Sequence, residues 1–203
     1  NESNYNIIEK FVKSKYFCCE MLWQQDKFKN TVFHIVCQYQ SNPNILNLLL
    51  NASDCPGHLL LRLIGGNDIG NTLLHIACIY QPEIAAHIIN CLASESLLFK
   101  KNNDGNTPLH TACFCHPEIA IVIINSPIYL NIDSLLLKQN NDCQTAFHIA
   151  CCHCPEVVKC ILDSRWCYKK IFEQLFQLND VEMKEENNEI YYRCGPLHLA
   201  CIF

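Results

Sequence analysis

The chain has 203 residues, 50% of them hydrophobic and 17% charged, with a formal net charge of −5. This composition excludes intrinsic disorder, which needs low hydrophobicity and high charge, and the length suffices to bury a sizeable core. There is no basic excess to hold a phosphate backbone, so nucleic acid is not an expected partner. Nor is membrane insertion expected: the charge-free stretch 119–132 is short for a span and is broken by Asn125, Pro127 and Asn131.

Cysteine is the unusual residue, 16 of 203. In a short secreted chain that number suggests a disulfide framework. Here the chain is long, and many cysteines obey a repeat. Asn51-Ala52-Ser53 matches a glycosylation sequon, which matters only if the chain is secreted.

Five similar strings recur: FHIVC at 33–37, LHIAC at 74–78, LHTAC at 109–113, FHIAC at 147–151 and LHLAC at 197–201. Their histidines, His34, His75, His110, His148 and His198, are 41, 35, 38 and 50 residues apart. A period of this size denotes a stack of repeats rather than one closed core.

In chain order, residues 1–26 place Ile7, Phe11 and Val12 at helical spacing, predicting a helix near 5–14 that matches the second helix of a unit without its first. The first full unit, 27–66, runs through Thr31 and FHIVC to Asn42-Pro43 and then Ile45, Leu48 and Leu49. The second, 67–101, opens on the turn Asn67-Asp68-Ile69-Gly70-Asn71-Thr72 and continues through Pro82 to Ile84, Ile88 and Ile89. The third, 102–139, opens on Asn102-Asn103-Asp104-Gly105-Asn106-Thr107 with Pro108 behind it, then His116-Pro117, Ile119, Val122 and Ile123. The fourth, 140–189, opens on Asn140-Asn141-Asp142-Cys143-Gln144-Thr145, reaches Cys154-Pro155, Val157, Ile161 and Leu162, and carries a long insertion at 163–189. Residues 190–203 begin another first helix.

Asn, Asp and Gly favour turns because they tolerate positive φ and bond their own backbone. Thr then stands at the N-cap and Pro108 at the first helical position. The later prolines end one helix and open the next. Each unit therefore reads turn, helix, turn, helix. The pattern is cut at both ends, so the expectation is a piece of a longer array.

These residues resemble the ankyrin-repeat family. Asn106-Thr107-Pro108-Leu109-His110, followed by Thr111-Ala112, is close to the family's T-P-L-H-x-A motif, and the other copies match it at most positions. The resemblance covers nearly the whole chain. It implies an all-α solenoid of stacked helix–turn–helix repeats with projecting loops, in which the motif residues Thr72, His75, Thr107, Pro108, His110, Thr145, His148 and His198 are structural. The family has Gly-His between its helices. Here that turn carries Pro and is one residue shorter in three repeats, predicting a tighter connection. The repeats also exceed the family's usual period, and the excess falls after the second helix, just before Leu22, Leu63, Leu98 and Leu136, where a short extra helical turn is expected. In the last insertion, Ile171, Phe172, Leu175 and Phe176 read as an amphipathic helix. The stretch from Asp180 to Glu189, with five carboxylates against Lys184, reads as a solvated loop, or as an electrostatic contact for a basic partner.

The motif histidines form a ladder along the repeats, not a cluster, and no acid or nucleophile recurs beside them. Cys37, Cys78, Cys113, Cys151 and Cys201 recur three residues after the histidines, where a free cysteine acts as a small buried hydrophobe. Neighbouring repeats hold them too far apart for disulfides, which points to a reducing, cytoplasmic compartment. Cys113, Cys115 and His116, with Cys151, Cys152, His153 and Cys154, have ligand types that suit zinc, but not the usual paired spacing. No phosphate loop, dinucleotide fingerprint or hydrolase motif is present.

The resulting expectation is a non-enzymatic module without cofactor that binds a protein partner. No obligate homo-oligomer is implied. By the resemblance, partner contacts fall on the loop tips and the concave helix face. The tip positions are Asp68, Ile69 and Asn71, then Asn103, Asp104 and Asn106, then Asn141, Asp142 and Gln144. The first-helix positions are Ile79 and Tyr80, Phe114 and Cys115, and Cys152 and His153. Two other readings stay open: a regulatory or targeting segment of a larger enzyme, channel or receptor, and a Cys/His metal-binding or redox-sensing module.

Overall fold

In the computed structural model the described residues are 2–52, 65–91, 95–126, 131–163, 181–183 and 192–194. His198, Cys201, Leu63 and the expected amphipathic helix at 171–176 lie outside them. The chain divides into two compact units, Asn1–Asn103 and Asp104–Phe203.

The first unit begins with α1 (Glu2–Val12), a 3-10 turn (Cys19–Trp23), α2 (Val32–Tyr39) and α3 (Pro43–Ala52). It continues with α4 (Leu73–Tyr80), α5 (Pro82–Cys91) and the short α6 (Glu95–Leu98). The first helices α2 and α4 pack on each other, and among the second helices α1 packs on α3 and α3 on α5. Within each repeat α2 packs on α3 and α4 on α5. The buried residues are those of the sequence period: Phe33, Val36 and Cys37 in α2, Ile45 and Leu49 in α3, and Ile84, Ile88 and Ile89 in α5. Each such side chain contributes about 1.5–3 kcal/mol relative to exposure.

The second unit repeats the plan with α7 (Pro108–Cys115), α8 (Pro117–Asn125), the short α9 (Ile132–Leu136), α10 (Ala146–His153) and α11 (Pro155–Asp163). Here α7 packs on α8 and α10, and α11 on α8 and α10. Phe147, Leu109, Ile119, Ile123, Val157 and Ile161 are buried.

Three connections between first and second helices are a single residue, Gln81, His116 or Cys154. Their backbone angles nearly coincide: φ −139°, −142° and −146°, with ψ 83° to 84°. Each residue precedes a proline, which keeps it out of the helical region. Each N–H still closes the preceding helix, on Ala77, Ala112 and Ala150 respectively, at 2.8 to 2.9 Å. The extra turns after the second helices are the 3-10 turn, α6 and α9, and they bury Leu22, Leu98 and Leu136.

Besides the helices, β1 (Val181–Met183) pairs antiparallel with β2 (Tyr192–Cys194), Glu182 standing opposite Arg193. Residues 181–183 therefore form a strand inside the acidic stretch expected to be a loop. A ladder partner nine to thirteen residues downstream satisfies their backbone.

Candidate functional site

The four described motif histidines cap their own helices. The backbone N–H groups of Thr31, Thr72, Thr107 and Thr145 donate to Nδ1 of His34, His75, His110 and His148 at 3.1, 3.2, 3.3 and 3.2 Å. The threonine hydroxyls sit 2.7 to 2.9 Å from the same nitrogens. An Nδ1 that accepts places the ring proton on Nε2. In His110 that proton reaches the Gln144 carbonyl of the next repeat at 3.1 Å. All four rings are buried. Burial pushes His148 down to about 4. It also holds His34 below its usual value, against the pull of the Asn71 and Gly65 backbones and of Asp26. These four rings close the starts of their own helices.

Ahead of each cap the chain makes a tip. Lys29, Gly70, Gly105 and Cys143, each five residues before its histidine, have φ of 60°, 75°, 77° and 60°. Asp26, Asn67 and Asn140 fold their side chains back onto tip N–H groups: Asp26 onto Phe28 and Asn30, Asn67 onto Asn71, and Asn140 onto Asp142 and Gln144. Successive tips are joined by a backbone rung and a side-chain rung. In the first unit, Asp68 N–H donates to Phe28 O and Asn103 N–H to Ile69 O. Asn67 Nδ2 donates to Asn30 Oδ1 at 3.0 Å, and Asn102 Nδ2 to Asn71 Oδ1 at 2.9 Å. In the second unit, Asn141 N–H donates to Asp104 O and Asn140 Nδ2 to Asn106 Oδ1 at 3.0 Å.

This sorts the tip positions. Asn71 is buried, and both Asn71 and Asn106 spend their carbonyl oxygens on the next repeat, so they hold tips together rather than face outward. Gln144 is half-buried, and its carbonyl takes the His110 and Asn140 N–H groups. Asp68, Ile69, Asn103, Asp104, Asn141 and Asp142 are exposed. Each tip in the last three repeats thus presents one carboxylate, at Asp68, Asp104 and Asp142.

At the end of the first helices Tyr80 is 50% and Phe114 65% exposed. The rings of Phe114 and His153 meet edge to face, centroids 5.1 Å apart, so two expected positions form one aromatic pair. Cys115 and Cys152 are half-buried beside them, and Ile79 is half-buried in α4. Sequence reasoning passed over Tyr39, 65% exposed at the place in α2 that Tyr80 holds in α4. The signal was its position five residues after His34.

Eleven of the described cysteines, Cys37, Cys78, Cys113, Cys151 and Cys154 among them, are in no disulfide. Cys37, Cys78 and Cys113 are buried, while Cys151 is only half-buried. Burial raises Cys37 and Cys115, and raises Cys151 to about 12 and Cys154 to about 11, the latter two helped by neighbouring cysteines and, for Cys154, by Glu156. Cys154 Sγ donates to Cys113 O at 2.7 Å, His116 Nδ1 lies 3.1 Å from Glu118 Oε1, and His153 faces Phe114. Three of the residues with ligand types that suit zinc, His116, His153 and Cys154, are thus drawn to separate partners. No group of three or more His, Cys, Asp or Glu able to hold a metal exists among the described residues. Thiolate chemistry needs a lowered pKa, and these are raised.

Comparison with known proteins agrees with this geometry. A family model described as Ankyrin repeats (3 copies) matches residues 53–134. Among solved structures, a chain from the complex of the Bd0816 predatory endopeptidase from Bdellovibrio bacteriovorus with immunity protein Bd3460 superposes with a TM-score of 0.60. That alignment covers 98% of this chain and 86% of that one at 15% identity, a likeness of fold. No curated protein matches the sequence. No helix among the described residues is long and apolar enough to cross a membrane.

Proposed function

This chain is built of ankyrin repeats, and from that premise we propose that it is a non-catalytic module that binds a protein partner through its loop tips and first-helix ends. The observation that carries the reading is the recurrence of large exposed rings at the last turn of the first helices: Tyr39 and Tyr80 in the first unit, and Phe114, paired with His153, in the second. Exposed aromatics are costly to leave in water and dominate binding hot spots. Asp68, Asp104 and Asp142 on the tips favour a partner with Lys or Arg around its apolar contact, since complementary charge fixes register and speeds encounter. Buried cysteines in no disulfide, Cys37, Cys78 and Cys113, favour a reducing, cytoplasmic location.

The test is affinity capture from the source lysate with the chain as bait, set against a folded Asp104→Ala/Phe114→Ala variant. A partner held by the first bait and lost by the second, with the loss reproduced by titration calorimetry on the purified pair, supports the reading. A partner retained by the folded double variant refutes these positions as its contacts.

A further inference from the structure

Counted from the motif histidines, the tip positions form columns, and the two units fill them differently. Six residues before each histidine stand Phe28, Ile69, Asp104 and Asp142. The second unit therefore presents carboxylates where the first presents Phe28 and Ile69, which are 49% and 55% exposed. The two apolar tips are joined, since Asp68 N–H donates to Phe28 O at 2.9 Å. Further along the same unit, Ile35 and Tyr39 lie one turn apart on α2, on one face, and both are exposed, as is Tyr80 at the end of α4. α2 packs on α4, and Gln81 Nε2 donates to Gln38 O at 3.3 Å, tying together the ends that carry the two tyrosines. Neither helix contains Asp, Glu, Lys or Arg. Exposed apolar side chains scattered singly need no explanation, but here they recur at equivalent places of two packed repeats and form a patch. The charges stand on the tips. Lys27 and Lys29 flank Phe28 and are exposed, with Lys27 Nζ 4.8 Å from the Phe28 ring centroid. Asp26 turns its carboxylate onto its own turn, where it takes the N–H groups of Phe28 and Asn30 and the Asn30 side-chain amide. On the next tip Asp68 precedes Ile69 and is exposed. The outward charge thus changes sign from the first tip to the second.

We propose that this face of the first unit receives a segment of a protein partner that carries apolar residues for Phe28, Ile69, Tyr39 and Tyr80, an acidic residue at Lys27 and Lys29, and a basic residue at Asp68. The assignment rests on the reading of the chain as a binding module and adds the chemistry of what it binds. Charge complementarity decides the occupant. An anionic lipid surface would suit Lys27 and Lys29 but not Asp68, whose backbone is bonded to that of Phe28. A peptide segment can answer both signs, and opposite charges on neighbouring tips fix the direction in which it lies. The tyrosines supply the contact area, as large rings do at binding hot spots.

The probe is a library of random dodecapeptides displayed on phage and selected on the purified chain. Enriched peptides should combine aromatic or branched apolar residues with Asp or Glu on one side and Lys or Arg on the other. Selection on Lys27→Glu/Lys29→Glu should replace the acidic excess with a basic one. Tyr39→Ser/Tyr80→Ser should weaken the enriched peptides about tenfold or more in titration calorimetry, with circular dichroism showing that the variant is folded. Should that variant not fold, Phe28→Ser/Ile69→Ser on the tips is expected to give the same loss. Peptides without an acidic excess, an excess unchanged by the lysine reversal, or affinities unchanged by the folded apolar variants overturn the proposal, as does a selection that enriches nothing. Phosphatidylserine vesicles that bind the chain and are lost with Lys27→Glu/Lys29→Glu would overturn it in favour of a lipid surface. Peptides that depend on Asp104 and Phe114 instead would overturn this inference and leave the reading as a binding module standing.

Discussion

The backbone N–H of Thr145 donates to Nδ1 of His148 at 3.2 Å, and the N–H of His148 returns a bond to Thr145 Oγ1 at 3.4 Å. The pair closes the open end of α10 in both directions, and it does so only while the imidazole is neutral. A proton on Nδ1 would set two donors against each other inside a fully buried site.

The pH dependence follows from that neutrality. His148 titrates at about 4 in the folded chain, pushed down by burial, against roughly 6.5 when unfolded. Between those values the unfolded state binds more protons. The contribution of this ring is therefore complete above about 6.5, declines as pH falls, and levels off below about 4. It is worth at most about 3 kcal/mol, and His34, shifted the same way, adds to the slope. Denaturant midpoints between pH 7.5 and 4 should fall accordingly. His148→Asn, which keeps an acceptor near Nδ1 but cannot titrate, should flatten part of that fall. An unchanged slope in the variant would remove His148 as a source.

Side-chain burial separates two sets of aromatics. Phe33 and Phe147 are each 1% exposed, whereas Tyr80 and Phe114 are half-exposed or more. Phe147→Ala should cost about 3–5 kcal/mol through the cavity it leaves, and Phe114→Ala within about 0.5 kcal/mol. Urea unfolding of the two variants checks this. Comparable losses would mean that Phe114 packs in the fold and is not offered to a partner.

The thiols should divide in the same way. Cys18 and Cys143 are exposed, while Cys37, Cys78 and Cys113 are buried. With Cys151 near 12 and Cys154 near 11, neither supplies much thiolate at neutral pH. Brief iodoacetamide labelling of the native chain at pH 7.5, mapped by mass spectrometry, should mark Cys18 and Cys143 before Cys37, Cys78 and Cys113, and leave those three buried residues unmodified. Early labelling of Cys151 or Cys154 would reopen a redox role.

What the sequence made legible was whatever repeats locally. Thr107 ahead of Pro108 announced a helix start, and His110 three residues on from Thr107 completed its cap. Pro82, Pro117 and Pro155 announced the second helices, and the columns from Ile84 and Ile88 announced the buried face. Less legible was whatever depends on a partner far along the chain. Asn71 and Asn106 looked like surface polar residues, but Asn102 and Asn140, 31 and 34 residues away, take their carbonyl oxygens. The strand at Val181–Met183 was hidden for a related reason. Three residues are too few to show an alternating pattern, and their pairing with Tyr192–Cys194 is a tertiary choice that acidic composition does not disclose.

The tips give the sharpest test of the repeat geometry, because one backbone position is filled by glycine twice and by other residues twice. Gly70 has φ +75°, and a Cβ there would meet Asn103 N at 2.8 Å; Gly105 has φ +77°, and a Cβ there would meet Asn141 N at 2.7 Å. In both cases the obstacle is the backbone of the next tip, at the residue whose N–H forms the rung. An alanine must therefore bear the left-handed strain and also push the rung apart, costing about 1–3 kcal/mol. Cys143 occupies the same position at φ 60° with a side chain already in place. Cys143→Gly should relieve strain and be neutral or stabilising, by up to about 1 kcal/mol. Denaturant unfolding of Gly105→Ala and Cys143→Gly, which lie in the same unit, should thus move the midpoint in opposite directions. If both moved it down by similar amounts, the left-handed tip would not be the shared device of these repeats.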